Sequence, residues 1–413
     1  MNEFRRMMQR VLKNKWQEDW VSAVLVLLFV GLLASRALLS ITSVAIVVPF
    51  LFNYKQLSYN RNMVLAIGLI LLPVMLSGLW SDDKTLWWNS LSIKLPLVTM
   101  MLGLSAVALS KQRWVQVSLM YIFIISLGCC WSLWQYAANM AGIQAAYLQA
   151  KLLPTPADND HLRFSWMVVT AILLGIKCWQ VEKKYLMKIS LLVLIIFLIL
   201  YLHILASKTG LVSLYLGCFI YLLYTLFIQK KWKTGIGIVV ITVMFAMVCY
   251  ATMPTLRNRL QYVAYDFGNY KTGNIMPGYN DAARWLSMKA GYQIMQNHPL
   301  YGVGFGDMFI EIDQWHRQNH PNSFAYERFY PANEWLVYGT GSGWPGLLCF
   351  AVGFFLLAYA TTSKNILSVI FSVISLIPFL IDDSLEGQYG VLLLAFIAFF
   401  GQQILPDHTP TNE

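Results

Sequence analysis

The chain has 413 residues, 58% of them hydrophobic and 12% charged, against about 25% charged in an ordinary soluble domain. One globular core cannot hide that much apolar surface, and a mean hydropathy of +0.55 with recurring apolar runs points to helices in lipid; the alternating segments of a β-barrel are absent. The net charge of +10 could suggest nucleic acid, but a membrane chain collects Lys and Arg on its cytoplasmic loops, and once topology accounts for the excess nothing else supports nucleic-acid binding.

Met1 to Asp19 carries Arg5, Arg6, Arg10, Lys13 and Lys15 and reaches the first apolar run without a small-residue cleavage site. It reads as an uncleaved cytoplasmic segment. Twelve transmembrane helices are then predicted, at 20–35, 38–53, 62–80, 92–110, 114–137, 164–181, 188–206, 209–228, 235–253, 335–360, 365–381 and 388–405. The fold class is an all-α polytopic membrane protein. All six cysteines fall inside apolar runs with no metal-ligand spacing and read as small core residues.

With a cytoplasmic N-terminus, the connections at Lys55 and Arg61, Lys111 and Arg113, Lys183, Lys184 and Lys188, Lys230, Lys231 and Lys233, and Lys364 are all basic. The opposite connections hold Asp82 and Asp83 with Lys84, the stretch 138–163, a short turn at Lys208, the stretch 254–334, and Asp382, Asp383 and Glu386. One missed helix would invert the signs beyond it, so the regularity supports the count. The chain divides into a cytoplasmic segment 1–19, helices one to nine over 20–253, a long extracytoplasmic loop 254–334, helices ten to twelve over 335–405 and a cytoplasmic tail 406–413.

Only 254–334 is large enough to cap an active site, and loops of such length are usually functional. Within it, Asp281 to Asn297 spaces Trp285, Met288, Tyr292 and Met295 as one apolar helical face that would rest on the bundle. The helix stops at Asn297-His298-Pro299 and enters Gly302-Val303-Gly304-Phe305-Gly306-Asp307. That turn superficially looks like a dinucleotide fingerprint, but no strand precedes it and no βαβ unit follows.

Candidate chemistry is concentrated on the outer side. The Arg284 guanidinium can grip a phosphate or diphosphate in bidentate fashion, though a helix arginine is often only solvated. Lys208, in Ser207-Lys208-Thr209-Gly210, is a second cation, held close to the bundle by a short turn unless it simply snorkels. Asp158, Asp160, His161 and Arg163 precede the sixth span, and His298, His316 and His320 lie in the long loop; histidines and carboxylates beside a water-facing cavity can act as bases, yet none has metal-site spacing. The most distinctive stretch is Pro331-Ala332-Asn333-Glu334-Trp335, followed by Gly339, Gly341, Gly343 and Pro345-Gly346-Leu347-Leu348, where small residues also permit close helix approach.

Asn333, nine intervening residues, Gly343, two residues and Gly346 resemble the signature of the bacterial O-antigen ligase family, in which a histidine directly precedes the Asn. Arg284 with the downstream glycine turn resembles that family's long periplasmic loop, and Ser207 to Gly210 its shorter basic turn. The resemblance implies a membrane-embedded, inverting glycosyltransferase of the inner membrane. Its donor would be a glycan on undecaprenyl diphosphate and its acceptor lipid A-core, with neither metal nor nucleotide sugar and no other cofactor. Arg284 and Lys208 would then bind the diphosphate, and the histidine before Asn333 would activate the acceptor hydroxyl. That position is Ala332, and Lys208 stands where an arginine is expected. A single His-to-Ala change is the simplest account; a natural base elsewhere, at His298, His320 or Glu334, and a protein that only binds are the others. Polymerases and protein O-oligosaccharyltransferases share the chemistry and differ in acceptor. A secondary transporter, the reading from another class, would place a polar cavity at mid-membrane between similar halves rather than at the outer surface under the 254–334 loop.

Overall fold

The computed structural model describes residues 2–53, 60–148, 152–156, 158–271, 280–321, 323–362 and 365–401, with side chains throughout except at 2–14, 53, 267, 269–271, 280 and 281. Lys55, Lys364 and the tail 406–413 lie outside the described residues. The regular elements that are described are all helical. In chain order they are α1 (Asn2–Ala34), α2 (Arg36–Ala45), α3 (Val48–Asn53), α4 (Arg61–Ser77), α5 (Lys84–Lys94), α6 (Pro96–Ser105), α7 (Lys111–Ala138), α8 (Met140–Tyr147), α9 (His161–Val181) and α10 (Tyr185–Leu205). There follow α11 (Lys208–Leu223), α12 (Trp232–Thr252), α13 (Pro254–Lys271), α14 (Asn280–Asn297), α15 (Met308–Asn319), α16 (Glu334–Thr361), α17 (Ile366–Ile374), α18 (Ile377–Ile381) and α19 (Gln388–Ala395).

Among the described residues, seven stretches are long and apolar enough to cross a membrane: Lys15–Ala34, α7, α9, α10, Lys208–Ile228, α12 and α16. Four of the expected spans are shorter apolar helices, at Arg36–Phe52, Arg61–Ser77, Ile366–Ile381 and Gln388–Phe400. The expected span 92–110 is instead a broken pair. α5 ends at Lys94, and Pro96 opens α6, because a residue without an N–H cannot continue the preceding ladder.

Among its described residues the stretch 254–334 carries α13, α14 and α15, of which α14 is the helix expected over 281–297. Its α14 packs on α16 with a different face from the one its large residues suggest. Trp285 and Tyr292 are about half exposed, whereas Ala283, Leu286, Ser287, Ala290 and Ile294 are buried with Met295. Small residues form this face because the helices approach closely: a Cβ on Gly291 would stand 2.5 Å from Pro331 Cγ.

α16 breaks in its first third, at Gly343 (φ 68°, ψ −168°), two residues before Pro345. The break frees three backbone groups, and the Gly302 turn takes up all of them. Trp344 N–H donates to the Pro299 carbonyl at 2.8 Å instead of to Thr340; the Thr340 carbonyl accepts from Val303 N–H at 3.0 Å; and the Gly341 carbonyl, which Pro345 cannot serve, accepts from Gly304 N–H at 2.9 Å. The glycine turn is therefore a backbone splint for a broken helix. Asp307 continues the docking, its carboxylate accepting from the amides of Asp82 at 2.7 Å and Asp83 at 2.9 Å. Behind the break, Tyr338 Oη donates to the Ile70 carbonyl at 3.0 Å, joining α16 to α4.

Candidate functional site

At one pole of the bundle, α9, α14, α16 and α19 begin, and the segment 380–387 runs among their starts. Asp382 stands between two guanidinium groups, with Arg163 Nη2 at 3.4 Å and Arg284 Nη2 at 3.8 Å. The two terminal nitrogens of Arg163 are engaged, since they also pair with Asp160 and donate to the Asp383 carbonyl at 3.4 Å, while its Nε has no hydrogen-bond partner among the described residues. Asp160 holds it in place by capping α9, accepting from Arg163 N–H at 3.0 Å. Arg284 is engaged less: it donates to the Ile381 carbonyl at 2.9 Å, keeps the long contact to Asp382, and is 30% exposed. A guanidinium has five donors, so Arg284 retains hydrogen-bonding capacity for an anion.

The start of α16 meets the same segment. Asn333 caps the helix by accepting from Leu336 N–H at 3.1 Å and braces it by donating to the Leu380 carbonyl at 2.9 Å. Both ends of its amide thus have structural work. Ala332 is buried, and its N–H donates to Ser287 Oγ at 3.0 Å, which in turn donates to the Arg284 carbonyl at 2.8 Å. Position 332 is therefore two hydrogen bonds from the turn of α14 that carries Arg284.

Glu334 is fully enclosed. One oxygen accepts from Leu385 N–H at 2.8 Å, and Oε1 has no hydrogen-bond partner among the described residues. Close by, Lys94 Nζ pairs with Glu386 at 2.6 Å, bonds Ser90 Oγ at 3.1 Å, and lies 5.4 Å from the Phe305 ring. Ser90 Oγ closes the network by donating to Glu386 Oε2 at 3.0 Å. Outside the spans, burial pushes the Asp383 carboxyl well above the usual carboxylate range; the charge of Asp382 adds to the rise, and Arg163 opposes it.

Of the residues singled out by sequence, the pole brings together Arg284, Arg163, Ala332, Asn333, Glu334 and His161, the last within electrostatic reach of both Arg284 and Arg259. The Lys208 turn packs against α9 nearby, through Ser207 Oγ to Ser165 Oγ at 3.0 Å. His298 is not brought in: it is exposed at the far end of α14, about 21 Å from Arg284 along the helix at ~1.5 Å per residue. His320 caps α15 beside Trp315, at 5.5 Å between rings, and feels the charge of Lys289. Neither histidine faces position 332 through any contact described. Arg259, Ser287 and the Lys94–Ser90–Glu386 network are the residues that sequence reasoning missed. Lys94 did carry a signal, a cation inside an apolar run; the others had none.

A polar cavity of about 630 Å³ occupies this pole, lined by residues of 36–40, 89–93, 158–163 and 383–389. It lies at helix ends, not between helix midpoints. Among the described residues the 254–334 helices contribute none to the lining; Arg284 approaches it through Asp382, which contacts the lining residue Arg163. A second, apolar cavity of about 350 Å³ lies between α9, α11 and α17.

Residues 191–351 match the family model Wzy_C, described as O-antigen ligase. The matched stretch runs from α10 into α16 and contains Lys208, Arg284 and 332–334, but not Arg163 or Asp382. No curated protein matches the chain.

Proposed function

We propose, for a chain that belongs to the O-antigen ligase family through residues 191–351, an inverting transfer of a glycan from undecaprenyl diphosphate to a hydroxyl of lipid A-core at the periplasmic face of the inner membrane. The family accounts for a membrane glycosyltransferase of the ligase or polymerase type; donor, acceptor and orientation, with both termini cytoplasmic, are our inference. The observation that carries it is the convergence of Arg284, Arg163 and Asn333, the neighbour of position 332, on residues 380–382.

The chemistry follows from charge. A diphosphate leaving group develops negative charge as the glycosidic C–O bond breaks, and preorganised guanidinium groups stabilise that charge in the transition state. Asp382 keeps the two arginines together, and the 3.8 Å contact to Arg284 is the one an entering diphosphate displaces most easily. Lys208, on the turn against Ser165, adds a point charge without a bidentate fork. A histidine at 332 would sit beside Asn333 as the base for the acceptor hydroxyl, near its own working pKa. Alanine has no acceptor atom, so we read the chain as a His-to-Ala variant that binds its substrates and does not turn over.

In vitro transfer from an undecaprenyl-diphosphate-linked glycan to lipid A-core tests this, comparing the chain with Ala332→His. Product from the histidine form alone supports both the ligase reaction and the base at 332. Equal product from both forms moves the base elsewhere, and transfer to a growing glycan or a protein hydroxyl instead would assign a polymerase or an oligosaccharyltransferase.

A further inference from the structure

The polar cavity at the pole has a mouth, a floor and unmet hydrogen-bonding capacity. Its mouth is an ion pair between Arg36 and Asp158 at 2.8 Å, both more than half exposed, with Tyr389 beneath Arg36. Its floor holds Arg163, Asp383 and Glu386. Two atoms in lining residues, Gln388 Oε1 and Arg163 Nε, are buried with no hydrogen-bond partner among the described residues. Buried polar atoms left so cost stability unless something satisfies them.

The lining also says what that something is. The two guanidinium groups of the lining are already paired with the carboxylates of Asp158 and Asp160, and Glu386 is paired with Lys94, so the cavity holds no surplus cation to draw a phosphate, while Arg284, which does not line it, remains available to one. Donors (guanidinium), acceptors (carboxylate) and groups that do both (Asn89, Gln388, Ser40) are interleaved. Vicinal hydroxyls, each of which donates and accepts at once, match that array. A single hydroxyl could donate to Gln388 Oε1, and another could accept from Arg163 Nε.

We infer that this cavity is a subsite for uncharged sugar residues, placed against the diphosphate site by Arg163, which lines the cavity and contacts Asp382, the carboxylate that also meets Arg284. The inference rests on the ligase reading for where such sugars come from: the outer end of the acceptor saccharide or the first units of the donor glycan. The residues that hold sugar here are Asn89, Gln388 and Arg163.

The test uses the full-length chain in nanodiscs and two carrier-free probes, the cognate core oligosaccharide and the O-repeat oligosaccharide, read by titration calorimetry. Asn89→Trp fills the cavity from an exposed position, and Gln388→Leu removes the unpaired oxygen. Each variant is expected to weaken binding about tenfold or more, the loss that ~1.4 kcal/mol corresponds to. Binding of the core alone assigns the subsite to the acceptor, and of the repeat alone to the donor. Binding by neither, or equal binding by parent, Asn89→Trp and Gln388→Leu, overturns the subsite. Cavity-dependent sugar binding without transfer by Ala332→His would sink the ligase reaction and keep the subsite; normal transfer by Ala332→His without sugar binding would do the reverse.

Discussion

Gly304 N–H donates to the Gly341 carbonyl at 2.9 Å, and through that bond the segment after α14 repairs the break in α16. Gly304 adopts φ +93°, and a Cβ there would lie 2.4 Å from Ser81 Oγ. Gly304→Ala therefore meets backbone strain of about 1–3 kcal/mol in addition to a clash. The expected result is a clearly lowered unfolding midpoint in detergent, measured by tryptophan fluorescence, and reduced transfer in the Ala332→His background through misplacement of 332–334. A midpoint equal to the parent's would mean that the splint is not required.

The buried pair Lys94–Glu386, at 2.6 Å with 0% and 6% of the side chains exposed, makes a separate prediction. Removing one partner of such a pair leaves a buried charge uncompensated, at a cost of about 3–5 kcal/mol, whereas replacing both is nearly neutral. Lys94→Met should lower the yield of folded protein sharply, because it strands Glu386 with Glu334 nearby. Lys94→Met with Glu386→Gln should recover most of it. Size-exclusion profiles of the three proteins decide the matter, and a double variant no better than the single would refute the pairing as the cause.

Charge and hydropathy along the sequence carried the membrane class because they are sums over many residues. They carried the shorter spans less well: nothing in hydropathy separates the ten-residue α6 from a full crossing, and only Pro96 marks the break. The buried face of α14 was misread for a related reason. Trp285 and Tyr292 weigh more than alanine on any hydrophobic scale, but Ala283, Ser287, Ala290 and Gly291 are the residues that let α16 come close. Arg284, Asn333 and position 332 were legible through local motif. Asp382, Arg163 and Glu386 became a site only through contacts spanning more than two hundred residues of sequence, which no local pattern encodes. The glycine turn that looked like a ligand loop binds backbone instead.

His316 gives a pH dependence outside the membrane spans. It is fully buried with neither ring nitrogen hydrogen-bonded among the described residues. Burial lowers its pKa first, then the charges of His320 and Arg328, against Asp313 and Glu327. A histidine whose folded pKa lies below its unfolded value takes up a proton on unfolding, so its contribution is complete above about pH 6.5 and is lost as the pH falls through that value. Amide exchange in α15, corrected for intrinsic rates, should quicken between about pH 7.5 and 5.5. His316→Phe should flatten that response, and an unchanged slope would assign it to another group.

Arg284 and Lys208 separate bidentate from point-charge recognition of the same diphosphate. In the Ala332→His background, Arg284→Ala should lower transfer by roughly 10²–10³-fold, the scale for losing one preorganised donor to a developing anion. Arg284→Lys should recover only part of this, since an ammonium cannot both donate to the Ile381 carbonyl, as Arg284 does at 2.9 Å, and fork onto phosphate. Lys208→Arg should raise transfer or leave it level, because it adds a fork to a cation that already has the right sign. Lys208→Ala should act mainly on the apparent affinity for donor. Initial rates against donor concentration distinguish these outcomes. If Arg284→Lys matched the parent while Lys208→Ala abolished turnover, the principal diphosphate contact would belong to the α10–α11 turn and the role given to α14 would be wrong.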